Sequence, residues 1–259
     1  MQFGVCTGPE SAAALKAAGF DYIEVNVQAH LKPESPEPDV APVLAALKAS
    51  PLPCAAANCF LPAHLKVTGP EVKLPALEAY VRTACRRARA VGMQTIVFGS
   101  GGARRIPDGF PRDRAWAQLV AFGRLAAPIA AAHGVTIVVE PLNRAECNVL
   151  TTVAESANLV REVDHPGLRL LVDAFHWGRD NDGWADLAAA GPLLRHAHIA
   201  TYTTRRAPGL EPCDFGPFFQ ALARGGYDGR ISVEGAWQDM ASDAPAVLAE
   251  LRRAARPPA

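Results

Sequence analysis

Four short apolar segments in the second half of the sequence each end on a residue whose side chain can bind a metal ion. The chain between consecutive segments is long enough for a loop, a helix and a return to a parallel sheet. The carboxyl ends of the strands of a parallel barrel meet at one rim. We therefore expect the four terminal residues to gather around one point. The segments are Ile137-Val138-Val139-Glu140, Leu170-Leu171-Val172-Asp173, His196-Ala197-His198 and Ile231-Ser232-Val233-Glu234.

The chemistry of this set is that of a site for a hard divalent metal ion. One imidazole nitrogen and three carboxylate groups suit Mn²⁺, Mg²⁺ or Co²⁺, and the set lacks the thiolates that favour zinc. Buried carboxylates that converge on one cavity need a positive partner, because an unpaired buried charge is very costly. An acidic residue at a single strand end often only caps the next helix. The coincidence of four such residues favours the metal site.

Apolar strand-like segments alternate with helical patterns along the whole chain. Eight such alternations with short connections predict a closed sheet surrounded by helices. A barrel of this kind needs about 250 residues, and the chain has 259. The sequence therefore predicts a single (β/α)8 TIM barrel that spans residues 1–259 as one domain.

Three local expectations accompany this fold. A proline-rich loop over residues 32–42 leads into a short helix over residues 43–48. The glycines of residues 99–102 form a tight loop that lets the backbone approach a ligand. The third predicted helix, over about residues 71–91, is long and carries a row of arginines that we expect on a solvated face, namely Arg82, Arg86, Arg87 and Arg89.

The composition narrows the class of partner and the compartment. Lys and Arg together number 26, as do Asp and Glu, so the net charge is zero. Such a chain has no overall field to attract nucleic acid or an anionic membrane. The six cysteines form no C-x-x-C pair, which we interpret as buried thiols of a reducing compartment. Without a signal-peptide pattern or a run of about 18 apolar residues, we expect a cytoplasmic protein.

Several segments resemble those of the xylose isomerase-like TIM barrels of the sugar isomerase and epimerase superfamily. Within it, they look most like the ketose 3-epimerases that act on D-tagatose and D-psicose. The resemblance is strongest over residues 135–240 and only architectural before them. The segments that carry it are Glu140-Pro141-Leu142-Asn143-Arg144, Asp173-Ala174-Phe175-His176, the strand of His198, Arg205-Arg206-Ala207-Pro208-Gly209 and Ser232-Val233-Glu234.

This resemblance implies the roles of the four residues. Glu140, Asp173, His198 and Glu234 bind the metal, commonly Mn²⁺. Glu140 and Glu234 face each other across a small sugar or polyol-derived substrate. One removes the proton beside the carbonyl, and the other returns a proton on the opposite face, through a metal-stabilised enediolate. Enzymes of this family are often dimers or tetramers, so the resemblance also implies a homo-oligomer.

Three further residues match substrate-binding positions of the family. Glu146 lies six residues after Glu140, as in the family pattern, although Ala145 stands where the pattern has Phe and opens the pocket. His176 lies three residues after Asp173, and its alternative role is to cap the loop that follows. Arg205 matches the arginine that holds substrate oxygens, but its interval from His198 is one residue longer than in the epimerases. Arg206 is therefore the alternative.

Two interior polar residues have open roles at this point. Glu24 is either a polar partner within the core or a substrate contact. His196 precedes His198 by two residues, so it shares the same face deeper in the barrel and is structural. At the end of the third strand, Asn58 lies at the active rim, while Phe60 forms either a pocket wall or part of the core.

Other functions of the superfamily stay open or are disfavoured. Inosose and 3-dehydroshikimate dehydratases begin with a similar proton removal, so a metal-dependent lyase is the alternative to an epimerase. Hydroxypyruvate isomerase-like enzymes are disfavoured by His198, where we expect glutamine. Endonuclease IV needs more rim histidines than seven in the whole chain can provide. A binding protein without catalysis is a further alternative. Arg205, Arg206 and the glycine loop leave open whether the substrate is phosphorylated.

Overall fold

The computed structural model describes residues 1–180 and 183–256. Within these residues, eight parallel strands form a closed barrel in which each strand pairs with its neighbours in chain order and β8 closes onto β1. The predicted (β/α)8 TIM barrel is confirmed. The strands are β1 Gln2–Cys6, β2 Tyr22–Asn26, β3 Cys54–Asn58, β4 Thr95–Phe98, β5 Thr136–Val139, β6 Leu168–Asp173, β7 Leu194–Ile199 and β8 Arg230–Val233.

Helices surround the barrel, and their apolar faces pack on the outward-facing strand residues. Two short helices at the rim were not predicted: α4 follows β4 after Gly99 and Ser100, and α7 follows β6 directly. The helices are α1 Ala12–Ala18, α2 Glu37–Lys48, α3 Leu74–Ala90, α4 Gly101–Arg104, α5 Arg112–Ala132, α6 Val153–Val163, α7 Ala174–Asp180, α8 Trp184–Ala190, α9 Gly216–Arg224 and α10 Met240–Ala254.

The interior of the barrel is apolar on one side and polar on the other. Val97, Val138 and Leu171 form a separate buried cluster on β4, β5 and β6. Because side chains alternate along a strand, the residues two positions further on point the same way, toward the carboxyl-terminal rim. Glu140 and Asp173 are two such residues, and the apolar cluster therefore forms a floor beneath them.

Helix α2 begins at Glu37, six residues earlier than predicted. Prolines at positions 38 and 42 suggested a loop, but the first lies in the opening turn, where no intrahelical donor is needed. Pro42 removes one backbone hydrogen bond without ending the helix. Glu37 and Asp39 occupy the first turn, where negative charge complements the helix dipole.

The prediction of a fully solvated arginine row was wrong for Arg87. Arg82, Arg86 and Arg89 are exposed, whereas Arg87 is buried. Its guanidinium donates to the carbonyl oxygens of Leu31, Lys32 and Ser35 and pairs with the carboxylate of Glu37 at 2.7 Å. Arg87 therefore fixes the segment that links β2 to α2.

Helix α5 also corrects an expectation about membrane-length segments. It has 21 residues and an 18-residue window of mean hydropathy 1.3, so length and composition alone would let it cross a membrane. Half of that window is buried within the protein. The helix packs against β5, α3 and α6 in the outer layer of the barrel.

Candidate active site

The four predicted metal ligands come together at the carboxyl-terminal rim. Glu140 directly follows β5, Asp173 is the last residue of β6, His198 lies in β7 and Glu234 directly follows β8. One potential ligand atom from each side chain lies within 4.8 Å of those of the other three. The first three residues are buried, and the side chain of Glu234 is 21% exposed, so the group opens toward solvent on the Glu234 side.

The donor atoms of this group fit a divalent cation. His198 Nδ1 lies 3.3 Å from Glu140 Oε1 and 3.3 Å from Glu234 Oε2. Among the described residues, neither His198 Nδ1 nor Glu140 Oε1 has a hydrogen-bond partner, although both are buried. Buried polar atoms without partners are rare and point to a missing ligand. One imidazole and three carboxylates suit a hard divalent ion.

The electrostatics of the site reflect this crowding of carboxylates. Burial raises the pKa of Asp173 above its usual value. Burial also opposes ionisation of Glu234, but His198 and Arg205 outweigh it and lower the pKa of Glu234 to about 2. Burial lowers the pKa of His198, yet the carboxylates of Glu24 and Glu234 raise it well above the usual value. A cation that binds here must therefore displace a proton from His198.

Residues after β4 make room for Glu140 and hold it in place. A Cβ atom at Gly99 would overlap Glu140 Oε2, so glycine is required for the carboxylate to occupy this position. The guanidinium of Arg104 is fully buried and donates to the carbonyl oxygens of Glu140 at 2.7 Å, Phe98 at 2.9 Å and Leu150 at 3.2 Å. Arg104 thus joins the end of β4 to the end of β5.

His176 and Glu146 lie beside the four residues and are linked by Asn143. His176 is buried in α7, with its Nε2 atom 3.6 Å from Asp173 Oδ2. The side-chain amide of Asn143 lies 2.8 Å from His176 Nδ1 and donates to Glu146 Oε1 at 2.8 Å. Glu146 is 44% exposed at the rim. The predicted substrate-binding residues, which follow β5 and β6 in the chain, are therefore adjacent to the predicted metal ligands.

Arg205 reaches the carboxylates of the site. Its guanidinium lies 2.5 Å from Glu234 Oε2, 3.5 Å from Asp173 Oδ2 and 3.8 Å from Glu146 Oε1, over the ring of Phe175. These carboxylates raise its pKa even though burial lowers it. Arg206 instead pairs through its backbone with Ala236 and Thr201, and it is absent from the described lining of the cavity.

Glu24 is a site residue whose role the sequence left undecided. It is buried in β2, and its two oxygens contact the Nε2 atoms of His198 at 2.9 Å and His196 at 2.7 Å. Ser232 donates to Glu24 at 2.6 Å, and Tyr22 lies 2.9 Å from the Ser232 hydroxyl. His196 is thus a buried structural partner, as expected. The available signal was an acid at the centre of an otherwise apolar strand.

Asn58 is a second residue whose role was not assigned. It is the last residue of β3, and its side-chain amide donates to Glu234 Oε1 at 2.8 Å. The other oxygen of Glu234 then faces His198 and Arg205. Phe60 is fully buried against Tyr80 and Phe98, so it belongs to the core.

A cavity of about 490 Å³ opens above Glu24 and Glu234. It is large enough for a small organic ligand. The ends of β1, β2 and β3 provide one wall, and the segment after β7 provides Thr204 and Arg205. The strand ends contribute Cys6, Asn26 and Asn58, and His30 and Cys59 follow β2 and β3. The site therefore combines a cluster of metal-ligand residues with an adjoining space for substrate.

The sequence of this chain is similar to those of known proteins. A family model described as the xylose isomerase-like TIM barrel matches residues 12–256. An L-ribulose 3-epimerase from Methylomonas sp. is 30% identical over 236 residues, which cover 87% of this chain and 77% of that protein. A D-psicose 3-epimerase from Ruminiclostridium cellulolyticum is 32% identical over 120 residues, or 46% of this chain. That match spans only 41% of the relative's length.

The similarity extends to solved structures over almost the whole chain. The structure of a D-allulose 3-epimerase from Methylomonas sp. in complex with D-allulose superposes with a TM-score of 0.82 and 26% identity. The superposition covers 98% of this chain and 96% of that one. The chain is thus similar to ketose 3-epimerases in both sequence and fold.

Proposed function

Because this chain belongs to the xylose isomerase-like TIM barrel family, we propose that it is a divalent-metal-dependent ketose 3-epimerase acting on a small free sugar. The observation that carries the proposal is the position of two glutamates around one point. Glu140 Oε1 and Glu234 Oε2 each lie 3.3 Å from His198 Nδ1. Epimerisation needs two such groups, one for each face of the reacting carbon.

In this proposal, Glu140 and Glu234 transfer the protons. The hydrogen on the carbon beside a ketose carbonyl is acidic, and one glutamate removes it while the other delivers a proton to the opposite face. Glu234 is buried, but His198 and Arg205 lower its pKa, so the carboxylate is ionised at neutral pH and able to accept a proton. A divalent ion held by Glu140, Asp173, His198 and Glu234 would supply Lewis-acid stabilisation of the negative charge that develops on the substrate oxygens.

The remaining site residues are assigned to substrate binding. The guanidinium of Arg205 offers several donors in a fixed plane, which suits carbonyl and hydroxyl oxygens. The exposed carboxylate of Glu146 can accept a hydrogen bond from a sugar hydroxyl. Asn143 contacts both Glu146 and His176 and holds the two side chains in fixed positions relative to each other. Asn58 holds the carboxylate of Glu234, so that a single oxygen faces the substrate.

The cavity supports a substrate without a phosphate group. Arg205 is the one lysine or arginine among the described residues that line it, and its guanidinium already contacts Glu234 and Asp173. Gly99 and Gly101 pack closely against Glu140 and Leu142, so the glycine loop is filled by protein rather than open to an anion. A phosphate dianion would also be repelled by the surrounding carboxylates.

The decisive experiment is a deuterium-exchange assay on several substrate classes. Metal-stripped protein is reloaded with Mn²⁺ in D₂O and incubated with free ketoses such as D-allulose and L-ribulose, with ketose phosphates, and with an inosose. We expect one deuterium at C3 of a free ketose together with formation of its C3 epimer. The same protein without added metal is the control and should show neither change.

Other outcomes would contradict the proposal in distinct ways. A dehydrated product from the inosose, without ketose epimerisation, would indicate the dehydratase alternative. An aldose product with deuterium at C2 would indicate an aldose–ketose isomerase. Faster turnover of ketose phosphates than of the free sugars would refute the assignment of an unphosphorylated substrate.

A further inference from the structure

Below the site, on β2, lies a buried carboxylate that contacts the predicted metal ligand His198 on its Nε2 side. Glu24 Oε1 lies 2.9 Å from His198 Nε2, while its Oε2 atom contacts His196 Nε2 at 2.7 Å and the Ser232 hydroxyl at 2.6 Å. Glu24, His196, His198 and Ser232 are all buried. These contacts lie on the side of the His198 ring opposite to Glu140 and Glu234.

This geometry determines which nitrogen of His198 can bind a metal. An ionised carboxylate accepts hydrogen bonds and cannot donate them, so His198 Nε2 must carry a hydrogen to bond with Glu24. The neutral ring then has its lone pair on Nδ1. Nδ1 is the atom that lies 3.3 Å from both Glu140 Oε1 and Glu234 Oε2.

We propose that Glu24 is a positioning residue of the metal centre, which holds the His198 ring so that Nδ1 faces the ion. The proposal rests on the metal centre of the proposed function but not on the reaction catalysed there. Partners of this kind orient metal-binding histidines and increase their basicity, and their loss typically weakens metal binding by about 10- to 100-fold.

The neighbouring thiol of Cys6 raises an alternative, in which Glu24 and His198 bind a second ion together with Cys6. Ligand atoms of Cys6, Glu24 and His198 also lie within 4.8 Å of one another, as in a site for a thiophilic ion. However, Glu24 Oε1 and His198 Nε2 are already bonded to each other. An ion in that place would have to break this hydrogen bond, so we assign both atoms to the support of His198.

Small and polar residues surround Glu24 inside the barrel. Gly4 on β1 faces the ring of Tyr22, and a Cβ atom at Gly4 would overlap that ring. The Tyr22 hydroxyl lies 2.9 Å from Ser232, which in turn donates to Glu24. Among the described residues, the hydroxyl of Tyr22 reaches Glu24 through Ser232, and the Tyr22 ring lies 6.3 Å from that of His196. Removal of the hydroxyl leaves both imidazole contacts of Glu24 in place, so Tyr22→Phe is a suitable matched control.

The test compares Mn²⁺ binding by the metal-stripped wild-type protein and the Glu24→Gln and Tyr22→Phe variants. Free Mn²⁺ is measured by electron paramagnetic resonance without substrate, and circular dichroism verifies folding. We expect Glu24→Gln to weaken binding by about 10- to 100-fold, equivalent to about 1.4 to 2.7 kcal/mol. Tyr22→Phe should bind Mn²⁺ within about threefold of wild type, because Glu24 keeps both imidazole contacts.

Two results would overturn the proposal. One is a folded Glu24→Gln variant that binds Mn²⁺ as tightly as wild type, and the other is an equal loss of affinity in Tyr22→Phe. If Glu24→Gln does not fold, Glu24→Asp is used, since it keeps the charge but cannot span both imidazoles. The same loss is expected, and unchanged affinity would contradict the role of Glu24.

A spectroscopic measurement on the wild-type protein tests the proposal without relying on variants at Glu24. The protein is labelled with ¹⁵N-histidine and loaded with Mg²⁺, and the His198 signals are assigned from those lost in His198→Asn. We expect a protonated Nε2 and an unprotonated Nδ1. The opposite pattern would overturn the proposal whether or not the protein is an epimerase, because neither measurement involves a sugar.

Discussion

Removal of one glutamate at a time should separate the two halves of the proposed reaction. If Glu140 and Glu234 act on opposite faces, each removes the C3 proton from only one of two epimeric ketoses. The Glu234→Gln variant should therefore lose epimerisation in both directions. It should still exchange deuterium into the epimer whose C3 hydrogen faces Glu140. Glu140→Gln should show the converse pattern.

The size of the rate loss, and the other changes that each substitution causes, can be worked out from the contacts of Glu234. A general base typically contributes about 10²- to 10⁴-fold, or about 3 to 5 kcal/mol of barrier. In Glu234→Gln, the amide oxygen can still accept from Asn58, but the amide nitrogen then faces the guanidinium of Arg205, which contacts Oε2 at 2.5 Å. Two donors cannot bond to each other, so Arg205 must move. Loss of a ligand charge also weakens metal binding, and the assay therefore requires saturating Mn²⁺.

The assay follows deuterium at C3 by NMR for each epimer separately, with bound Mn²⁺ measured in every variant. Glu71→Gln, the same change at an exposed residue, is the control and should behave as wild type. Two findings would refute the reasoning. One is epimerisation that survives either substitution at about the wild-type rate. The other is loss of exchange from both epimers in both variants while Mn²⁺ stays bound.

Further predictions concern the residues that hold the site in place and the binding of Mn²⁺ to it. Arg104→Met removes hydrogen bonds to three buried carbonyl groups, of which those of Phe98 and Leu150 keep a backbone donor, and should lower the free energy of unfolding by about 2 to 4 kcal/mol in urea titrations; unchanged stability would contradict this expectation. Gly99→Ala should weaken Mn²⁺ binding at least about tenfold with the fold retained, since its Cβ displaces the Glu140 carboxylate; unaltered binding would show that the carboxylate adapts. Mn²⁺ at about 100 times its Kd should add about 2.7 kcal/mol of stability and raise Tm by about 5 to 10 °C, as seen by calorimetry. Mn²⁺ affinity should fall as pH is lowered, because the carboxylates raise the pKa of His198 and its proton competes with the ion; a pH-independent affinity between about pH 6 and about pH 8 would count against this linkage.

The sequence predicts the strands better than it predicts the ends of the helices. Asp173 and His198 lie where the periodicity placed them, because an apolar strand that ends on a polar residue is a strong local pattern. The start of α2 was missed because Pro38 and Pro42 were interpreted as helix breakers, although a first-turn proline is compatible with a helix. Arg87 was misplaced because its charge was given more weight than its position. It follows the buried Tyr80 and Ala84 at helical spacing.

Within the site, residues with a sequence motif were easier to identify than residues that act through tertiary contacts. The Glu140 and Asp173 segments carry recognisable patterns, and the structure places both beside His198. Glu24 and Asn58 lie more than a hundred residues away from their partners in sequence. Their roles depend on which strands face each other across the barrel, which periodicity does not reveal. The choice between Arg205 and Arg206 likewise depended on the backbone, since Arg205 has a left-handed conformation with φ of 56° that no spacing rule predicts.

The two halves of the barrel therefore contribute different kinds of interaction to one centre. The ends of β5 to β8 supply the four predicted ligand residues, whereas β2 and β3 supply Glu24 and Asn58, which contact His198 and Glu234. A cluster of buried carboxylates is unstable unless its charges are compensated. Arg205 and the proton on His198 can provide part of that compensation without a metal. A chain with these internal counter-charges can fold before it binds an ion. We therefore expect the metal-stripped protein to retain the barrel, as near-ultraviolet circular dichroism can test, and loss of the tertiary signal on stripping would show that the compensation is insufficient.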